Sequence, residues 1–101
     1  MISDAFRVFL TEAPDHAKAW GEALQNLSEV SKLDERTRAL AYLSVLAALN
    51  RTSGVPFHVK SLKQLGVSRE EVISAILVGL PAAGHVVTQA LPCALEAYDG
   101  A

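Results

Sequence analysis

Cysteine is almost absent. Cys93 is the single one in 101 residues. One thiol cannot close an intrachain disulfide or build an all-cysteine zinc site. No His-x-x-His or Glu-x-x-His spacing occurs either, so neither a metal nor another cofactor is expected. Charge is sparse, at 20% of residues, with a net of −2 and a pI near 5.8. The nine Lys and Arg are spread along the chain. Without a basic cluster there is little counterion release to drive nucleic-acid binding, and no nucleic-acid partner is expected. Met1-Ile2-Ser3-Asp4 has no basic segment and leads into no long apolar one, so no signal peptide is expected and the cytoplasm is the default location. The nearly uncharged run from Ala39 to Asn50 is too short to cross a bilayer, and no membrane partner is expected. A glycine-rich phosphate loop and a nucleophile elbow are both missing.

What the chain does have is apolar bulk. Half of its residues are hydrophobic and the mean hydropathy is +0.25. The length suits one domain, residues 1–101, with one core. A small domain has a high surface-to-volume ratio, so this much apolar surface predicts burial between subunits.

The periodicity predicts an all-α, single-domain bundle of about six helices and no strand. Ile2, Ala5, Phe6, Phe9 and Leu10 share one face of a short first helix that Ser3 can cap. Pro14 opens a second helix, with Ala17, Trp20, Leu24, Leu27 and Val30 as its buried stripe. Asp34 is the expected cap of a third, and Glu35 complements the dipole in its first turn. From Ala39 to Leu49 that helix is apolar nearly all round, which predicts the central, most buried element, stopped at Asn50. Ser53 and Pro56 begin a short fourth helix whose inner face carries Val55, His58, Val59, Leu62 and Leu65. Gly66 and Val67 fit a Schellman ending on it. Ser68 and Glu71 form a capping box for a fifth helix, faced by Val72, Ile73, Ile76, Leu77 and Leu80 and broken at Gly79-Leu80-Pro81. The sixth spans about Gly84 to Tyr98, with Val87, Leu91, Ala94, Leu95 and Tyr98 inward and a kink expected at Pro92.

His58 is the one titratable side chain on an otherwise aliphatic stripe. Partial burial would lower its pKa and keep it neutral near pH 7, as a general base requires. The competing reading is a core or interface histidine hydrogen-bonded to a backbone carbonyl. Arg51, Thr52 and Ser53 lie at the start of the His58 helix, where an arginine beside helix N-terminal amides would hold a carboxylate. The alternative is a capping Ser53 and a solvated Arg51. His85 could approach a pocket near Gly79–Pro81. His16 reads as solvated, Glu70 and Glu71 as capping residues, and Cys93 as a small buried hydrophobe.

Four segments in order resemble the carboxymuconolactone decarboxylase and alkylhydroperoxidase-D superfamily. Leu33-Asp34-Glu35-Arg36-Thr37-Arg38-Ala39-Leu40 resembles its L-x-x-K-T-R-E-L helix start. His58 falls at its histidine, Gly66 to Val72 resembles G-x-T-x-E-E-I, and Gly79-Leu80-Pro81-Ala82-Ala83 resembles G-x-P-A-A. The likeness covers about residues 24–98, leaving 1–23 as an N-terminal helical extension. The peroxidase branch carries Cys-x-x-Cys-x-x-x-His, with a glutamate twelve positions before the first cysteine. In this chain those positions hold Arg51, Gly54 and Ala39. The thiolate and its resolving partner are both missing.

The resemblance implies a homo-oligomer (dimer, trimer or hexamer) with pockets near subunit interfaces. It also implies a non-redox decarboxylase or lyase type of activity on a small lactone or carboxylate. His58 would be the catalytic acid or base, with Arg51, Thr52, Ser53 and His85 on the substrate. The rival is a non-catalytic binding or assembly protein of the same fold. A residual alkylhydroperoxidase activity through Cys93 ranks last.

Overall fold

The structure is a computed structural model that describes residues 3–100. It is all-helical: the described residues contain no strand. The chain forms two compact units, a hairpin ending at Asp34 and a body beginning at Glu35.

The hairpin consists of α1 (Asp4–Glu12) and α2 (Pro14–Val30), which pack on each other. Ser3 caps α1 as its sequence position predicts, its Oγ accepting from the Phe6 amide at 3.2 Å. Ile2 lies outside the described residues. Pro14 occupies the first turn of α2, where its missing N–H leaves nothing unpaired. The α2 stripe is present, but it is not buried. Trp20, Leu24, Leu27 and Val30 all stand exposed, and neither helix of the hairpin buries a residue. Two helices have no third layer to close over an apolar face, so periodicity gives the stripe but not its cover.

The body begins with α3 (Glu35–Ala48), directly after Asp34. Leu43, Leu46 and Ala47 are buried, whereas Tyr42, Val45 and Leu49 form a second apolar face that is exposed. Within the body, packing partners cover only one face of α3, so the all-round apolar helix is not buried by the body alone. Asn50 ends the helix with φ 57°, the left-handed conformation that asparagine tolerates. The Arg51 amide donates to the Leu46 carbonyl and the Asn50 amide to Ala47, which completes a Schellman pattern.

A 3₁₀ turn at Thr52–Gly54 leads into α4 (Val55–Gln64). Val55, Val59 and Leu62 are buried as predicted; His58 is only half-buried and Leu65 is exposed, because the helix has already ended at Gln64. Gly66, at φ +83°, closes the second Schellman ending. There the Val67 amide donates to Leu62, and both side chains are buried. α5 (Arg69–Leu77) starts with the predicted capping box. The Ser68 amide donates to Glu71 Oε1 at 2.9 Å, and the Glu71 amide to Ser68 Oγ at 3.1 Å.

After the Gly79-Leu80-Pro81 break come the single turn α6 (Leu80–Ala83), a 3₁₀ segment Gly84–Ala90, and α7 (Leu91–Asp99). The predicted long kinked helix is thus two pieces. Pro92 lies in the first turn of α7, not inside a helix. The 3₁₀ segment bonds i to i+3, so it never needs the amide hydrogen bond that proline would remove.

One uncharged stretch is longer than the run at Ala39–Asn50. It extends from Val72 to Leu95, within a helical region Arg69–Asp99 that is long and apolar enough, by length and composition, to cross a membrane. Here it is several short segments, and α5 and α7 pack against each other across the breaks.

The core is aliphatic. α4 lies chiefly on α7, and α3 on α5 and α4. Ala90, Ala94 and Ala97 supply small buried contacts from the last segments, and Leu43, Leu62 and Ile76 are the largest fully buried side chains. Each such large side chain contributes about 1.5–3 kcal/mol by leaving water. Polar links fix the register. Ser44 Oγ donates to the Ala75 carbonyl at 2.7 Å, Arg36 pairs with Glu71, and Arg69 holds Asp99 through two hydrogen bonds at 2.9 and 3.0 Å. Tyr98 OH donates to the Val67 carbonyl at 2.8 Å and anchors the end of α7.

Candidate functional site

The Schellman turn at Asn50 reverses the chain, so that α4 packs beside α3. This brings His58 of α4 against Tyr42 of α3, with ring centroids 4.8 Å apart and planes tilted by 54°. Phe57 meets the same imidazole edge-on at 5.4 Å. Both aromatic rings are about half exposed. His58 therefore sits at the rim between the α3–α4 core and the exposed apolar face of α3.

Neither nitrogen of the His58 ring has a hydrogen-bond partner among the described residues. This departs from the reading of a core histidine satisfied by a backbone carbonyl. Burial of the ring lowers the His58 pKa, so the neutral form prevails at pH 7. A neutral imidazole offers one acceptor nitrogen and one N–H donor, and here both are available to a ligand.

The other predicted site residues contribute less. Arg51 and Ser53 are exposed and Thr52 is half-buried. The amides at the start of α4 make a poorer anion cradle than expected, because the Val55 N–H is taken by the Thr52 carbonyl and Pro56 has none. His85 is exposed on the second 3₁₀ segment. Its carbonyl accepts from Thr88 Oγ1 at 2.7 Å, and no contact joins it to His58. His16 is exposed on the hairpin.

Gly54 stands beside His58, at a position where the resemblance would place a cysteine. A Cβ built on Gly54 would lie 3.9 Å from His58 Cδ2 and 3.9 Å from Leu46 Cδ1, which is ordinary contact distance. A side chain at position 54 would thus stand beside the imidazole, and the glycine leaves that place empty.

Sequence reasoning missed a second feature. An open cleft of about 350 Å³ runs between α4 and α7, lined by Pro56, Lys60, Cys93, Glu96, Ala97 and Gly100. None of the predicted site residues lines it. Cys93 is half-buried at its wall, and the thiol donates weakly to the carbonyls of Ala90 at 3.5 Å and Thr52 at 3.9 Å. Tyr42 was missed as a neighbour of His58 because it reads from its spacing as core. The signal available was the all-round apolar character of α3, which leaves one face over for another use.

Glu71 belongs to the scaffold, as its capping position predicts. Its pKa is lowered to about 2, first by the Ser68 amide and then by Arg36.

No curated protein and no solved structure matches the chain. Residues 14–96 match the model of the carboxymuconolactone decarboxylase family, a span that holds the whole of α2, the whole α3–α4 frame and His58, and reaches into α7. With most of its length matched and an all-helical fold, the chain belongs to the carboxymuconolactone decarboxylase family.

Proposed function

We propose that this chain binds and transforms a small lactone or carboxylate by non-redox acid–base chemistry, with His58 as the proton carrier. The observation that supports this most is the half-buried imidazole with two unpartnered nitrogens, held neutral by burial among Tyr42, Phe57 and the α4 backbone. Such a group accepts a proton from a carbon acid or an attacking hydroxyl and then returns it to the product. Arg51, the nearest cation in sequence before α4, is the residue we assign to a substrate carboxylate, with Thr52 and Ser53 beside it. The absence of thiols at positions 51 and 54 argues against dithiol peroxidase chemistry.

His58→Ala should lower turnover about 10²–10⁴-fold while leaving the far-ultraviolet circular dichroism unchanged. A thermal-shift screen against lactones and muconate-like dicarboxylates finds the substrate for that assay. Turnover equal to wild type in the variant removes His58 from the reaction.

A second reading is a binding or assembly protein that does no chemistry. It is favoured by the position of the α4–α7 cleft, which excludes His58. On that reading His58→Leu leaves stability equal or higher and no ligand binding is lost.

A further inference from the structure

We infer that the cleft between α4 and α7 binds a small zwitterion of the amino-acid class. Its carboxylate meets Lys60, its ammonium meets Glu96, and its apolar side chain lies on the floor between them.

The cleft exists because small residues fall on one face of α7. Cys93, Glu96, Ala97 and Gly100 are spaced i, i+3, i+4 and i+7, so they line up along the helix and its C-terminal end. Pro56 and Lys60, one turn apart on α4, face them. A thiol, a methyl and a glycine do not fill the space opposite the Pro56 ring. His58 follows Pro56 by two residues, about 200° round the helix, so it leaves α4 on another side.

The walls are tied at both ends. At one end the Cys93 thiol reaches the Thr52 carbonyl at 3.9 Å, just before α4 begins. At the other, Lys63 Nζ donates to the Tyr98 carbonyl at 2.7 Å and lies 5.0 Å from the Tyr98 ring centre. The Tyr98 hydroxyl and the Arg69–Asp99 pair hold the same end of α7 to the turn after α4. A cleft held open in this way loses little entropy when a ligand enters it.

The charges select the ligand. Lys60 is half-buried on one wall and Glu96 exposed on the other. Neither side chain has an ion-pair or hydrogen-bond partner among the described residues, and they do not pair with each other. A simple carboxylate would be drawn to Lys60 and repelled by Glu96, and a simple amine the reverse. A molecule that carries both charges satisfies both, through charge-assisted hydrogen bonds about twice as strong as neutral ones. Pro56, Cys93 and Ala97 leave an apolar floor that suits an aliphatic side chain. The volume, about 350 Å³, lies at the lower end of the roughly 300–1,000 Å³ typical of ligand pockets. It fits a metabolite rather than a folded partner. This inference does not rest on the role given to His58, since its readout is binding and not turnover.

The test is amide NMR titration of the full chain with leucine, and with the two molecules that each lack one of its charges, isocaproate and isoamylamine. Leucine should give saturable shifts at Lys60, Cys93, Glu96 and Ala97, and the two analogues should bind more weakly. Lys60→Met and Glu96→Gln should each weaken leucine about 10–100-fold, whereas Lys60→Arg keeps the cation and should retain binding. His58→Ala should bind leucine as wild type does, which separates this site from the proposed acid–base chemistry. Four outcomes overturn the inference: no saturable shift at millimolar leucine, shifts centred on other elements, an analogue that binds as tightly as leucine, or either charge-removing substitution leaving the affinity unchanged. The same spectra report whether each variant is folded. If one is not, Lys60→Gln and Glu96→Ala repeat the reading at the same two positions.

Discussion

His58 is buried enough to resist protonation and open enough to be reached. Its folded pKa lies below its unfolded value, so the unfolded chain binds more protons between the two. Stability therefore rises with pH through that window, which ends near the unfolded value of about 6.5, and is fully present above it. Urea unfolding between pH 5 and 8 should show this rise, and His58→Gln should flatten it. The backbone at two glycines predicts opposite responses to alanine. Gly54 has φ −87° and ψ −13°, and an added Cβ would meet only ordinary contacts. Gly54→Ala should stabilise by about 0.4–1 kcal/mol, by restricting the unfolded chain. Gly66 has φ +83° with open space around it, so the cost of alanine is conformational, about 1–2 kcal/mol of destabilisation. Thermal unfolding of the pair checks both signs. Gly66 was legible in the sequence from its place after an apolar helix. The tolerance at Gly54 was not, since only the distances to His58 and Leu46 reveal it.

The helix ends were the most legible elements. Ser3, Asn50, Gly66, and Ser68 with Glu71 all act as their residue types dictate, because caps satisfy backbone groups only a few residues away. All four prolines lie in first turns, at Pro14, Pro56, Pro81 and Pro92. Pro92 was misread as a kink because nothing local announces the 3₁₀ segment before it; that segment forms as Val87 and Ala90 pack into the core. At the α5 start, Ser68→Ala should cost about 0.5–2 kcal/mol. Alanine keeps the Ser68 amide and Arg36 on Glu71 and removes only the smaller contribution of the Ser68 hydroxyl, so the carboxyl, held at a pKa of about 2, should titrate slightly higher. A depressed carboxyl contributes stability above its unfolded pKa of about 4.3, and that contribution is lost as pH falls toward 2. The variant should therefore lose less stability than wild type across that range. Calorimetry at pH 2.5 and 5 measures the difference.

At the scale of the molecule, apolar composition was the informative signal, but it was assigned to the wrong places. The spacing of Trp20, Leu24 and Leu27 says that they share a face. It does not say what covers that face, and within the hairpin α1 leaves it exposed. The outer face of α3 is the same case, and it borders His58 through Tyr42.

By itself the sequence determined the helical class, most of the caps, most of the core residues and the absence of a dithiol. These depend on period and on contacts within a few residues, which the order of the chain dictates directly. Tertiary structure alone decided that His58 lies on Tyr42 with both nitrogens unpartnered, and that a cleft lies instead between α4 and α7. Those outcomes depend on which helix packs on which. The Schellman turn at Asn50 and the small alanines of the last segments settle that packing across distances that no local pattern spans.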